Sequence, residues 1–273
     1  MSTIKRPIKR AILIAAGRGK RLGSHTDEMP KAMVDVGAQP ILGWVWKAFA
    51  AAGIEELVVI RGYRGDVLEA FVRGLVPRAI FVDNPEWQTN NVLLSMAYAR
   101  PYLDQPCLIS YSDIIFTPAV ARAAVASPAD IGLVIDRDFR TIYEGRTEHP
   151  LEEGEVSDLM PDGTVARVGK RALPPAEAIG EYIGLAKLGE RGVALVANTL
   201  DQLAHQFAGR DDQPFQRAAT FRNAYQTDLW QQLIDGGIRI DPVLIESQWR
   251  EIDTGQDLDR ARQLVESNPG DWS

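Results

Sequence analysis

Short apolar runs alternate with helical patterns through the first half of the chain, and both faces of each run are apolar. Ala11 to Ala16, Glu55 to Gly62, Arg78 to Asn84, Pro106 to Asp113 and Ile131 to Asp138 read as strands. Between them, helical periodicity covers 40–53, about 66–73, 90–103 and 118–126, the first opening at Pro40 and stopping at Gly53. Strands that are apolar on both sides must be covered on both sides. The pattern therefore predicts an α/β protein with a mainly parallel sheet between two layers of helices.

The pattern changes near residue 138, where a polar stretch rich in Gly, Pro and Glu begins. Pro161-Asp162-Gly163-Thr164 is a turn signal inside it, and strand character returns over 180–188. This predicts a hairpin region inserted at about 138–178 within a single domain spanning 1–273. Helices are expected over 190–207 and 214–235, a short strand over 239–245, and a last helix after Asp253.

With 273 residues the chain is long enough for a full core. Its net charge of -7 argues against general nucleic-acid binding, though a local basic loop can still hold a small anion. Cys107 stands alone, so no internal disulfide and no oxidising compartment is implied. The basic N-terminus precedes only six apolar residues, too few for a signal sequence, and no run approaches the roughly 20 residues of a membrane span. A cytoplasmic protein that engages no membrane is the expectation. The sequence is compatible with a homodimer and does not fix the assembly.

The segment from Leu13 to Lys31 carries the chemistry. Gly17, Gly19 and Gly23 follow a buried strand with a spacing that fits neither a dinucleotide fingerprint nor a P-loop. A glycine-rich turn there still presents several backbone N–H groups to one point. Arg18, Lys20 and Arg21 add positive charge, with Arg21 suited to grip a phosphate in bidentate fashion. Pro30 stiffens the backbone directly before Lys31. Loop and charges together suggest a polyphosphate ligand.

Residues 11–42 resemble the signature of nucleotidyltransferases that join an NTP to a phosphorylated small molecule. Its fixed positions are occupied by Ala15, Ala16, Gly17, Gly19, Arg21, Leu22, Pro30, Lys31 and Pro40. The resemblance implies a three-layer Rossmann-like fold, a mixed, mainly parallel sheet flanked by helices. It also bears on two carboxylates, Asp113 after a strand and Asp253 in Glu251-Ile252-Asp253-Thr254. Unaided, an Asp after a strand reads as a cap or turn. The resemblance instead implies that Asp113 and Asp253 hold Mg²⁺, the cofactor this chemistry needs to neutralise phosphate charge.

Downstream segments look most like the bacterial CTP-dependent branch, which includes phosphocholine and phosphonate cytidylyltransferases. The implied partners are CTP and a small phosphorylated or phosphonate acceptor. A sugar-1-phosphate nucleotidylyltransferase and a non-catalytic nucleotide-binding regulator are the alternatives. The resemblance implies nucleotide contacts at Ala15, Ala16, Gly17, Gly19, Arg21, Gln88, Asn90, Asn91 and Ser112, with Arg21 on the β/γ-phosphates and Lys31 on the α-phosphate. Thr89 or Asn90 also reads as a helix N-cap. For a quaternary ammonium, aromatic faces beside an acid are the natural site. Glu181, Tyr182, Asp228, Trp249 and Glu251 are the candidates for it, with Trp87, Tyr143 and Trp230 also available, and Lys170 is the candidate for the acceptor phosphate. Trp44 and Trp46 read as partly core, and His25, His149 and His205 as surface or loop residues.

Overall fold

The computed structural model describes residues 6–272; the first five residues of the basic N-terminus lie outside it. The chain opens with β1 (Arg10–Ala15), all six positions buried as its two-faced apolar pattern requires. There follow the two-residue strands β2 (Asp35–Val36) and β3 (Gln39–Pro40), then α1 (Ile41–Ala51), β4 (Glu56–Arg61), α2 (Gly65–Leu75) and β5 (Ile80–Asp83). Next come α3 (Val92–Ala97), β6 (Cys107–Tyr111), β7 (Ile114–Phe116), α4 (Pro118–Ala126) and β8 (Ile131–Asp136). The second half contains α5 (Phe139–Tyr143), β9 (Glu155–Leu159), β10 (Val165–Lys170), β11 (Gly180–Leu188), α6 (Glu190–Gln206), α7 (Gln226–Asp235), β12 (Asp241–Ile245), β13 (Trp249–Glu251) and α8 (Gly255–Ser267).

Nine strands form the central sheet, in the order β10-β9-β11-β6-β1-β4-β5, with β8 on β11 and β12 on β8. The pairs β1–β4, β1–β6, β4–β5 and β8–β12 are parallel, while β11 runs antiparallel to β6, β8 and β9. Alternate residues of β1 serve opposite cores: Ala11, Leu13 and Ala15 pack toward α1, α4 and α8, and Ile12 and Ile14 toward α3, α6 and α7. Burying each Leu or Ile contributes roughly 1.5–3 kcal/mol, and both faces of the sheet are covered. The mixed, mainly parallel three-layer architecture is the expected one. Among the described residues, no helix is long and apolar enough to cross a membrane.

Three departures from the sequence reading have local causes. The helix expected over 90–103 ends at Ala97, and Pro101 allows only a 3-10 turn over Arg100–Tyr102. The helix expected over 214–235 begins only at Gln226, where the Asp228 carboxylate caps the first turn by accepting from Tyr225 N at 2.8 Å. The residues before it instead follow an aromatic cluster, with Phe221 stacked on Phe207 at 4.2 Å and Phe215 edge-on to both. Finally, β7 and β13, unforeseen as a pair, form a small antiparallel sheet.

Residues 155–170 form an antiparallel hairpin that extends the main sheet beyond β11. Asp162 shapes its tip by accepting from Thr164 N (3.1 Å) and Oγ1 (2.7 Å).

Candidate active site

Pairing of β7 with β13 brings two distant carboxylates together. Glu251 lies opposite Ile114, and Ile252 N donates to Asp113 O at 2.8 Å, so Asp113 and Asp253 leave the pair at one end. Between them sits Lys31, buried to 7% exposure at the start of a 3-10 turn set by Pro30. Its Nζ donates to Asp113 Oδ2 at 2.9 Å and to Asp253 Oδ1. Arg21 donates to the other oxygen of Asp253 and lies 3.4 Å from Glu153.

The electrostatics follow from this packing. Burial disfavours the charge on Lys31, but Asp113 and Asp253 outweigh it and hold the ammonium above the ordinary lysine range. Burial likewise opposes the Asp253 charge, yet Lys31 and Arg21 draw its carboxyl well below the usual range. Asp113 moves the other way. Burial and the charges of Asp253 and Glu251 raise it more than Lys31 lowers it. Asp113 Oδ1 is buried without a hydrogen-bond partner, which suits an oxygen that a hard cation would take.

These groups floor a cavity of about 410 Å³. Ala16, Gly17, Gly19, Lys20 and Arg21 form one wall, with Trp87, Asn90 and Asn91 beside them. Gly19 adopts φ +74°, and an added Cβ would meet the Lys31 stem at 2.8 Å, so only glycine lets the loop rest on that lysine. Gly17 faces open space. No backbone acceptor in this turn takes the N–H of Gly17, Arg18 or Gly19. Lys20 lines the cavity, whereas the Arg18 guanidinium turns to Asp27 at 2.7 Å and over the Tyr63 ring.

The opposite wall comes from the hairpin and β11. Glu153, Glu155, Lys170, Glu181, Tyr182, Tyr225, Trp249 and Glu251 line it. Glu155 accepts from Tyr111 Oη (3.0 Å) and Thr227 Oγ1 (3.2 Å), and burial pushes its carboxyl up to about 7. Burial, with Glu251 adding to it, pushes Glu181 up to about 8, even though Tyr143 Oη donates to it at 2.7 Å. Gly184, at φ +83°, leaves room for the Tyr111 ring, which an added Cβ would meet at 2.3 Å.

Behind the floor lies an arrangement that sequence reading missed. Arg146 donates to Asp257 Oδ1 (2.6 Å), to Glu251 (2.8 Å) and toward His149 Nδ1 (2.7 Å). Asp257 caps α8 by accepting from Thr254 N (2.9 Å) and also takes Asp253 N (3.1 Å), so Arg146 braces the backbone that carries Asp253. His149, expected at the surface, is 2% exposed because it packs into this cluster; His25 and His205 are exposed. The ligand atoms of His149, Glu251 and Asp253 lie within 4.8 Å of one another. Positive charge sits at both groups, Arg146 at Glu251 and Lys31 at Asp113 and Asp253, but Asp113 keeps a buried carboxylate oxygen without a partner, so the Asp113–Asp253 pair offers the hard oxygen donor that a divalent cation would take.

Of the other residues singled out in the sequence, some lie outside the main cavity and some line it while also bonding to neighbouring segments. Ala15 ends β1 with its methyl group in the core, and Gln88 is exposed outside the cavity. Asn90 forms a reciprocal amide pair with Asn84 (2.9 and 3.0 Å), and Asn91 Nδ2 donates to Asn223 O (2.9 Å). The N-cap of α3 is Asn91, not Thr89 or Asn90. Asp228 is spent on capping α7 and faces an adjoining cavity with Arg171 and Arg217, not the main one. Ser112 and Trp249 do line the main cavity. Trp44 is core, as expected, and Trp46 packs against it.

Residues 11–168 match the model of the MobA-like NTP transferase domain. Over 255 residues the chain is 28% identical to CTP:phosphoglutamine cytidylyltransferase of Campylobacter jejuni, covering 91% of this chain and 97% of that protein. Over 155 residues it is 30% identical to CMP-5'-(3-aminopropyl)phosphonate synthase of Streptomyces rubellomurinus, covering 56% of this chain but 24% of that longer protein. The inositol-1-phosphate CTP transferase of T. maritima superposes with a TM-score of 0.74 at 20% identity, over 98% of this chain and 99% of its own.

Proposed function

The chain belongs to the MobA-like NTP transferase domain family, and we propose that it transfers the cytidylyl group of CTP to a small phosphorylated or phosphonate acceptor. The carrying observation is the buried Lys31 ammonium, bonded to Asp113 and Asp253 beneath a loop that leaves open space at Gly17. Catalysis there is positioning and charge neutralisation, which is what phosphoryl transfer requires. An oxygen of the acceptor's phosphate or phosphonate attacks the α-phosphorus, and the bond to pyrophosphate breaks with its electron pair. That nucleophile is already anionic, so no general base is needed.

Each wall has a part in this reading. Ala16, Gly17 and Gly19 offer backbone to the nucleotide, while Ser112, Asn90 and Asn91 border the base and ribose. Lys20 and Arg21 face the departing pyrophosphate, and Lys31 the α-phosphate as its charge redistributes. Asp113 and Asp253 would hold Mg²⁺, which when bound neutralises phosphate charge and aligns the α-phosphate. Lys170 meets the acceptor's phosphate, and the hairpin closes the acceptor side of a single catalytic domain. CTP is favoured because both curated relatives above are named for cytidylyl chemistry.

A pyrophosphate-release screen tests this. CTP, UTP, dTTP, GTP and ATP are crossed with 2-aminoethylphosphonate, phosphoethanolamine, phosphocholine and glucose-1-phosphate in Mg²⁺. Release with CTP and an amine-bearing acceptor is expected. Release only with UTP or dTTP and glucose-1-phosphate would make the protein a sugar-nucleotide enzyme. CTP binding without release from any pair would make it a regulator.

A further inference from the structure

The acceptor wall states what the far end of the acceptor must offer. Glu181, 4% exposed, lines the cavity from the start of β11. Its Oε1 accepts from Tyr143 Oη at 2.7 Å, but its Oε2 is buried with no hydrogen-bond partner. The protein's own donors nearby are spent elsewhere. Arg146 serves Asp257, Glu251 and His149, and Trp249 Nε1 donates to Asp136 at 2.8 Å. Tyr111 Oη and Thr227 Oγ1 serve Glu155. A buried carboxyl oxygen left without a partner is costly, and a cationic N–H beside it would both satisfy that oxygen and favour its ionised form, so this group is suited to a charged donor from a ligand.

The same wall lacks what a quaternary ammonium needs. Such a cation has no N–H and is held by open aromatic faces. Trp249 and Tyr182 are 3% and 2% exposed, and Tyr182 is tied to Gln226 at 2.7 Å with its ring edge-on to Tyr111. Lys170 Nζ already covers the Tyr225 ring, 4.8 Å from its centroid. Negative charge is nevertheless abundant, with Glu153, Glu155 and Glu251 around the same space.

We propose that the acceptor carries, beyond its phosphate or phosphonate, a primary or secondary ammonium that donates an N–H to Glu181 Oε2, and that the site selects against quaternary ammonium. This rests on the transferase reading above and narrows its acceptor class.

The test measures kcat/KM with CTP and Mg²⁺ on whichever of phosphoethanolamine and 2-aminoethylphosphonate turns over faster, then on its N-methyl and N,N,N-trimethyl derivatives. For the wild type, trimethylation should cost about tenfold or more, carried by the acceptor's KM. E181Q should lose a similar factor with the primary amine, flatten the series and leave the KM for CTP unchanged. Equal or better turnover of the trimethyl compound overturns the proposal on the wild type alone, whatever the variant does. A series that keeps its slope in E181Q overturns the role of Glu181. Turnover of glucose-1-phosphate and of no amine sinks the ammonium while leaving nucleotidyl transfer intact. Pyrophosphate release from no acceptor removes both.

Discussion

Lys31 has a structural duty in the fold and, in the proposed reaction, a chemical one. Its ammonium joins two carboxylates that would otherwise repel each other within a buried floor. Replacing it with Ala should therefore do two separable things. Stability in EDTA should fall by about 3 kcal/mol, because breaking a buried ion pair leaves uncompensated charge. Turnover should fall at least roughly 100-fold, because a preorganised cation is lost from the α-phosphate. Millimolar Mg²⁺ should restore the melting temperature of K31A without restoring turnover. Wild-type turnover in the folded variant would remove Lys31 from the chemistry. A melting temperature unmoved by Mg²⁺ would remove Asp113 and Asp253 as its ligands. Lys31, Asp113 and Asp253 were legible because each sits in a recognisable stretch. Arg146, His149 and Glu155 were not, since a lone charged residue in a polar segment carries no sign of burial.

At the scale of elements, the glycine-rich loop works by resting on something. Gly19 and Gly53 both lie at positive φ, +74° and +85°, but only Gly19 contacts the Lys31 stem. Alanine at either position should cost about 1–2 kcal/mol for the left-handed backbone. G19A should in addition raise the KM for CTP and lower kcat, because its methyl group displaces Lys31. G53A supplies the control for strain alone. If the two variants keep equal kinetics, the loop does not aim the lysine. The loop itself was readable from its glycines and prolines. The pairing of β7 with β13 was not, because three-residue strands show no periodicity and their register depends on partners more than a hundred residues apart.

Across the whole molecule, the cavity wall formed by the hairpin and β11 should make stability depend on pH. The Glu155 carboxyl has an ordinary value of 4.5 and lies at about 7 in the fold. Below 4.5 it is protonated in both states and contributes nothing. Between 4.5 and 7 the folded state keeps a proton that the unfolded state has lost, so stability falls as pH rises. Above 7 both states are ionised and the full cost of about 3 kcal/mol remains. Urea unfolding from pH 4.5 to 8.5 should show E155Q gaining on the wild type through that window and holding its gain above it. Parallel stability curves would mean that Glu155 is solvated. Buried acids of this kind are a stability cost borne for a binding site.

The sequence by itself determined the layered α/β architecture, since strands apolar on both faces require cover on both faces. It also determined the glycine-rich loop and the family, because these rest on residues close together in the chain. Only the tertiary structure decided that Asp113 meets Asp253 across a lysine, that Asp228 caps a helix outside the main cavity, and that the segment before Gln226 follows an aromatic cluster. It also decided which carboxylate oxygens are left without a donor. Burial and hydrogen-bond satisfaction are properties of where distant segments meet, and local composition carries no record of that meeting.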